Sequence, residues 1–72
     1  MTILIIDDDE KICETTGALL EDENKVLTAF SGAEGLYILS KEAVSLVILD
    51  YGLPDMDGIA VLKNIKENYK IP

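Results

Sequence analysis

LVILDYGLPDMDG, residues 46 to 58, is the stretch on which the reading of this chain turns. Four apolar residues, Leu46 to Leu49, run without interruption into Asp50. The tight segment that follows holds two glycines, a proline and two further carboxylates. A short continuous apolar run closed by turn-forming residues is the pattern of a strand buried on both faces. Pro54 sets its own φ and pushes Leu53 into an extended backbone. Asp57-Gly58 then opens a helical pattern, with Asp57 placed as N-cap. Asp55 and Asp57 therefore read as turn and cap residues. Asp50 stands apart from them, a lone acid at the end of a buried strand.

The rest of the chain supplies a setting for that strand. TILIID (2 to 7) is a second continuous apolar run, and its β-branched isoleucines favour a strand. DEKICETTGALLEDE (9 to 23) shifts to helical spacing, and Ile12, Thr16, Leu19 and Leu20 are expected to share its buried face. Asp9 and Glu10 suit the positive end of that helix. KVLTAF (25 to 30) reads as a shorter strand. In SGAEGLYILSKEA (31 to 43), Ser31 and Glu34 have the spacing of a capping box at the start of a helix. VSLVILD (44 to 50) is the third strand, and GIAVLKNIKENY (58 to 69) is a helix with Ile59, Leu62, Ile65 and Tyr69 spaced for burial.

The order is β-α-β-α-β-α, which predicts the doubly wound α/β class, a parallel sheet with helices on both faces. The chain ends on KIP (70 to 72), which reads as the opening of another strand. The expectation is one domain, residues 1–72, truncated.

Composition narrows the chemistry. Six lysines, no arginine and fourteen acids leave a net charge of −8. That balance is poor for phosphate backbones and anionic membranes, and suits binding of cations or simply solubility. With no histidine in the chain, Ser-His and Cys-His catalysis and histidine-type zinc sites are excluded. Cys13 is the single cysteine, so no internal disulfide forms, and in the absence of an activating base it reads as structural. The apolar runs are too short to span a bilayer, and no basic region or cleavage site precedes the first strand. A cytoplasmic protein is expected.

In sheets of this class ligands sit beyond the carboxyl ends of the strands. The first strand ends in Asp7-Asp8-Asp9 and the third in Asp50. Right-handed crossovers bring those ends to one edge, where at least two acids would face each other. Two carboxylates about 4 Å apart repel by roughly 1 kcal/mol in water and by about 4 kcal/mol at an effective dielectric of 20. Such a group persists if one member protonates or if a cation is shared. The only strong ligand atoms there are oxygens, which points to Mg²⁺ or a similar hard ion. The plain alternative is that Asp7 to Asp9 cap the first helix while Asp50 ends a strand in solvent. Gly52 leaves the backbone free to turn its carbonyl toward an ion. Asp50 beside a metal could act as a carboxylate nucleophile, and phosphoryl transfer to it needs chiefly positioning and charge neutralisation.

ILIIDDDE at the first strand, TAFSGAEGL at the second and LVILDYGLPDMDG at the third resemble the receiver domain of two-component response regulators, in register along the whole chain. The resemblance implies a flavodoxin-like fold, of which three of five βα units are present. It implies that Asp50 is the phosphoacceptor for a histidine kinase, and that the chain is not itself an enzyme. It further implies that Asp8 binds Mg²⁺ directly, that Asp7 assists directly or through water, and that the Gly52 carbonyl is the remaining protein ligand. Pro54 and Gly58 match structural loop positions. The family's hydroxyl residue after a fourth strand and lysine after a fifth have no counterpart in these residues, so impaired phosphorylation is expected. An uncovered third strand, or the KIP tail, is expected to pair with a second copy. The alternative is a dimerising remnant that accepts no phosphate.

Two other readings fail on the residues at their key positions. A haloacid-dehalogenase-type phosphohydrolase also opens on a strand with acid-x-acid, here Asp7-x-Asp9, but Lys11 stands where that family has Thr or Val. In an EF-hand loop built around DMDG, Leu53 and Asn64 would occupy the first and last ligand positions.

Overall fold

The computed structural model describes residues 1–71. Strand β1 (Thr2–Ile6) leads to helix α1 (Glu10–Leu20), β2 (Lys25–Ala29) to α2 (Gly32–Lys41), and β3 (Leu46–Leu49) to α3 (Gly58–Asn68). The strands form one parallel sheet in the order β2-β1-β3. Ile6 lies opposite Ala29 on one side and Leu49 on the other, so all three strands end level. The ladder continues one residue further, since the Asp7 N–H donates to Ala29 O at 3.0 Å and the Asp50 N–H to Ile6 O at 2.9 Å. Both acids thus begin where the sheet stops.

Central strand β1 is buried on both faces, and its side chains divide by alternation. Leu4 and Ile6 pack with Ala29, Leu39, Val61 and Ile65 under α2 and α3. Ile3 and Ile5 pack with Cys13 under α1. Leu4, Ile5, Ile6 and Val61 are the largest side chains fully removed from solvent, each worth about 1.5–3 kcal/mol of transfer free energy. Helices on both faces make the sheet doubly wound, as expected.

Three expectations about burial require correction. In α1 the sheet-facing residues are Cys13 and Gly17, with Leu20 half-buried, whereas Ile12 is exposed and Leu19 is 79% exposed. The helix starts at its Asp9 cap and lies close on the sheet, where a Cβ on Gly17 would stand 3.6 Å from Val26 Cγ1. Small residues carry that contact, and an apolar count passes over them. In α3 the buried side is Gly58, Val61 and Ile65, with Leu62 and Tyr69 half-buried and Ile59 exposed. Gly58 is seated on Tyr51, which sets the phase of the helix.

Strand β3 is covered on its α2–α3 face and only in part on the other, where Leu46 packs beside Ile3, Ile5 and Cys13. Val47 and Leu49 pack on the α2–α3 side, but Ile48, on the α1 side, is 38% exposed because α1 lies over β1 and β2. At the end of the chain, Lys70 and Ile71 form no strand, and Ile71 is buried in the core that contains Leu53 and Ile65. The KIP segment is thus held within its own chain as far as residue 71, and Pro72 lies outside the described residues.

Candidate functional site

The level strand ends bring Asp7, Asp8 and Asp50 together. One carboxylate oxygen from each lies within 4.8 Å of the others. Asp7 and Asp50 are half-buried and Asp8 is exposed. Short local turns orient two of them: Asp7 Oδ1 accepts the Asp9 N–H at 3.0 Å, and Asp50 Oδ1 accepts the Gly52 N–H at 3.1 Å. Three like charges at this spacing raise the free energy of the cation-free site by roughly 1 kcal/mol per pair in water. A trio of carboxylates with free oxygens is a donor set that fits a hard divalent cation.

Asp9 is separated from this trio although it adjoins Asp8. Its Oδ1 accepts the N–H groups of Lys11 at 2.9 Å and Ile12 at 3.2 Å, so it is the N-cap of α1. The plain capping alternative therefore holds for one of the three consecutive acids. Asp57 caps α3 through the Ile59 N–H at 2.9 Å. Ser31 caps α2 by accepting the Glu34 N–H at 3.1 Å, while Glu34 Oε1 reaches back to the Phe30 N–H at 2.9 Å. That is the capping box expected from the spacing, displaced by one residue at its return bond.

Asp55 makes contacts that no local pattern showed. Its Oδ1 accepts the Gly32 N–H at 2.8 Å and its Oδ2 the Ala33 N–H at 2.9 Å, across 23 and 22 residues. The carboxyl group is held below its ordinary range, by the Ala33 N–H first and the Gly32 N–H next. Neighbouring Met56 rests on Gly32, where a Cβ would run into its Cγ and Sδ.

The glycines of the loop differ in what they require. A Cβ on Gly58 would collide with the Tyr51 backbone, so only glycine allows α3 to start there. A Cβ on Gly52 would meet Asp50 Oδ1 at 3.7 Å, an ordinary contact, and among the described residues none has positive φ. The turn at Gly52 therefore uses backbone that any residue adopts. Cys13 is buried and its Sγ–H donates to Asp7 O at 3.3 Å. Its thiol is pushed up by burial first, and further by the charges of Asp7 and Asp9. That environment keeps it protonated and structural. Among the described residues no helix is long and apolar enough to cross a membrane.

The chain as a whole is similar to known proteins. Transcriptional regulatory protein GlrR of Escherichia coli is 41% identical over 66 residues, which are 90% of this chain and 15% of GlrR. Regulatory protein VanRc of Enterococcus gallinarum is 31% identical over 71 residues, 97% of this chain and 31% of that protein. The chain thus spans less than a third of these curated relatives. Among solved structures, a CheY-like receiver domain protein from Methanospirillum hungatei superposes with a TM-score of 0.86 at 38% identity, over 93% of this chain and 55% of the other. Response regulator TrrA of Thermotoga maritima, in complex with Mg²⁺-BeF, gives 0.84 at 33% identity, over 92% and 58%. The family model of the response regulator receiver domain matches residues 3–72. With the parallel sheet and acidic edge already described, that match makes the chain a member of the response regulator receiver domain family.

Proposed function

We propose that Asp50 is the phosphoacceptor of a two-component receiver, with a histidine kinase as donor and Mg²⁺ as the cation. The observation that carries this reading is the convergence of Asp7, Asp8 and Asp50 oxygens within 4.8 Å at the level ends of β1 and β3. Asp7, Asp8 and Asp50, with the Gly52 carbonyl, would hold the metal. When bound, Mg²⁺ supplies the positive charge that offsets the carboxylates and the phosphoryl oxygens. The chemistry of the chain itself is short. A carboxylate oxygen of Asp50 attacks phosphorus, the P–N bond to the kinase imidazole breaks, and the imidazole nitrogen keeps the electron pair and takes up a proton. The Gly52 N–H on Asp50 Oδ1, at 3.1 Å, fixes one oxygen and leaves the other to react. The lone thiol and this donor suit the cytoplasm, and the net charge of −8 disfavours membrane or nucleic-acid contact by this segment.

The test is covalent mass after incubation with acetyl phosphate and Mg²⁺. A phosphoryl increment that disappears in Asp50→Asn is expected. No increment under conditions in which Mg²⁺ binds would leave the second reading, a self-associating module that accepts no phosphate. Its supporting observation is that β3 pairs with β1 alone among the described residues and leaves Ile48 exposed at an open edge. Light scattering on the same sample reports whether a second copy covers that edge. A monomer at high concentration with cooperative unfolding removes the self-association.

A further inference from the structure

Resting on that reading, we infer that Asp55 is a positioning residue for the acidic site: it ties the loop that carries Gly52 to the N-terminus of α2, and so fixes where the loop backbone stands beside Asp50.

Hydrogen-bond accounting carries the argument. The first N–H groups of a helix have no partner within it and must find one elsewhere. In α2 all four are satisfied: Gly32 and Ala33 donate to Asp55, Glu34 donates to Ser31 Oγ, and Gly35 donates to Ser31 O. Asp55 takes the two that the capping box leaves over. Viewed from the loop, the dependence is stronger. Among the described residues, the two bonds accepted by Asp55 are the only hydrogen bonds from residues 51–56 to another secondary-structure element. The one other bond of this segment runs from the Gly52 N–H to Asp50 itself.

Packing fixes the same junction. Met56 sits on Gly32, Leu53 is buried in the core, and Gly58 closes on Tyr51. Those contacts set the depth of the loop but not its rotation, because apolar contacts are non-directional. A bidentate carboxylate on two adjacent N–H groups is directional and charge-assisted. It lies three residues from Gly52 and five from Asp50 in sequence, close enough that a tilt of the loop at Asp55 displaces the Gly52 carbonyl. Groups that hold ligands in place typically alter metal affinity about 10–100-fold when removed.

The test compares wild type, Asp55→Ala and Asp55→Asn at a temperature where circular dichroism shows all three folded. Asparagine keeps the shape but can accept with only one oxygen. Isothermal titration with MgCl₂ is expected to show affinity weakened about tenfold in Asp55→Ala, with Asp55→Asn between it and wild type. Metal-free amide exchange at Gly52 is expected to quicken in the same order, while amides inside α2 keep their protection. A purely structural cap would lower the melting temperature and leave both readouts unchanged, and that result overturns the inference. Wild type that fails to bind Mg²⁺ overturns the proposed function and this inference together, whereas equal binding by all three proteins overturns only the inference.

Discussion

Six aspartates crowd the carboxyl end of this sheet, and they fall into two groups that sequence adjacency does not separate. Asp9, Asp55 and Asp57 each accept helix N–H groups, one aspartate at the N-terminus of each helix. Asp7, Asp8 and Asp50 converge on one another. Two of them accept a single N–H from two residues onward, and Asp8 accepts none among the described residues. The first group lowers the free energy of the folded chain by answering orphan donors and the helix dipole. The second raises it by like-charge repulsion. A small domain tolerates such a cost where the cluster serves a ligand, and the cap acids help to offset it.

The two groups should therefore respond to mutation with opposite sign. The largest effect is expected where they share a support. Gly58→Ala drives a Cβ into Tyr51, shifting the Asp57 cap and the residue beside Asp50 at once. Urea unfolding should show a loss of about 3 kcal/mol, and the stabilisation by Mg²⁺ should shrink as well. Asp9→Ala removes a cap alone. It should cost about 1 kcal/mol while leaving the Mg²⁺-induced rise in melting temperature intact. Asp8→Asn relieves repulsion in an exposed setting. The metal-free protein should gain up to about 1 kcal/mol, and the rise with Mg²⁺ should vanish. If Asp8→Asn instead destabilises the metal-free protein, the division between the two groups is wrong.

A pH series sharpens the same contrast. The folded-state pKa of Asp55 is depressed by the Ala33 and Gly32 N–H groups. Its contribution is therefore complete above the unfolded value of about 3.9 and is lost as pH falls through the lower folded value. Urea midpoints below about pH 4 should fall more steeply in wild type than in Asp55→Asn, and the Gly32 and Ala33 amide shifts should follow the titration. The smallest effect is expected far from both groups. Lys25 and Glu42 form a 3.0 Å surface pair with side chains 62% and 40% exposed. Lys25→Ala should change stability by less than about 0.5 kcal/mol, as read from the same urea curves.

Much of this was legible before any coordinates. The uninterrupted apolar runs at residues 3–6 and 46–49, separated by capped helical patterns, are enough to order the elements, because strands of a sheet with helices on both faces are apolar at successive positions. The trio was legible in part. Asp7 or Asp8 had to meet Asp50 once the strands were parallel neighbours; spacing alone did not say which of three consecutive acids would turn away, and only the family resemblance pointed to Asp7 and Asp8. That choice depends on where α1 begins, and the bonds from the Lys11 and Ile12 N–H groups make Asp9 its cap.

The buried sides of α1 and α3 differ from the expected ones for two reasons. In α1 the small residues Cys13 and Gly17 face the sheet in place of Ile12 and Leu19, and in α3 Val61 is buried where Ile59 is expected, a rotation that leaves the apolar spacing equally satisfied. The exposure of Ile48 was also hidden, because Ile48 is as apolar as its half-buried neighbours and only the placement of α1 exposes it.

What the sequence alone determined was local in origin: the βα order, the caps at Ser31 and Asp57, the acids that close two strands, and the family resemblance those motifs carry. Each follows from residues within a few positions of one another, where backbone sterics and capping bonds act. Tertiary structure alone decided the partners of Asp55, the phase of the helices and the separation of Asp9 from Asp7 and Asp8. These depend on groups more than twenty residues apart or on how near two backbones can approach. Such distances are set by packing of the whole core, and no short stretch of sequence contains them.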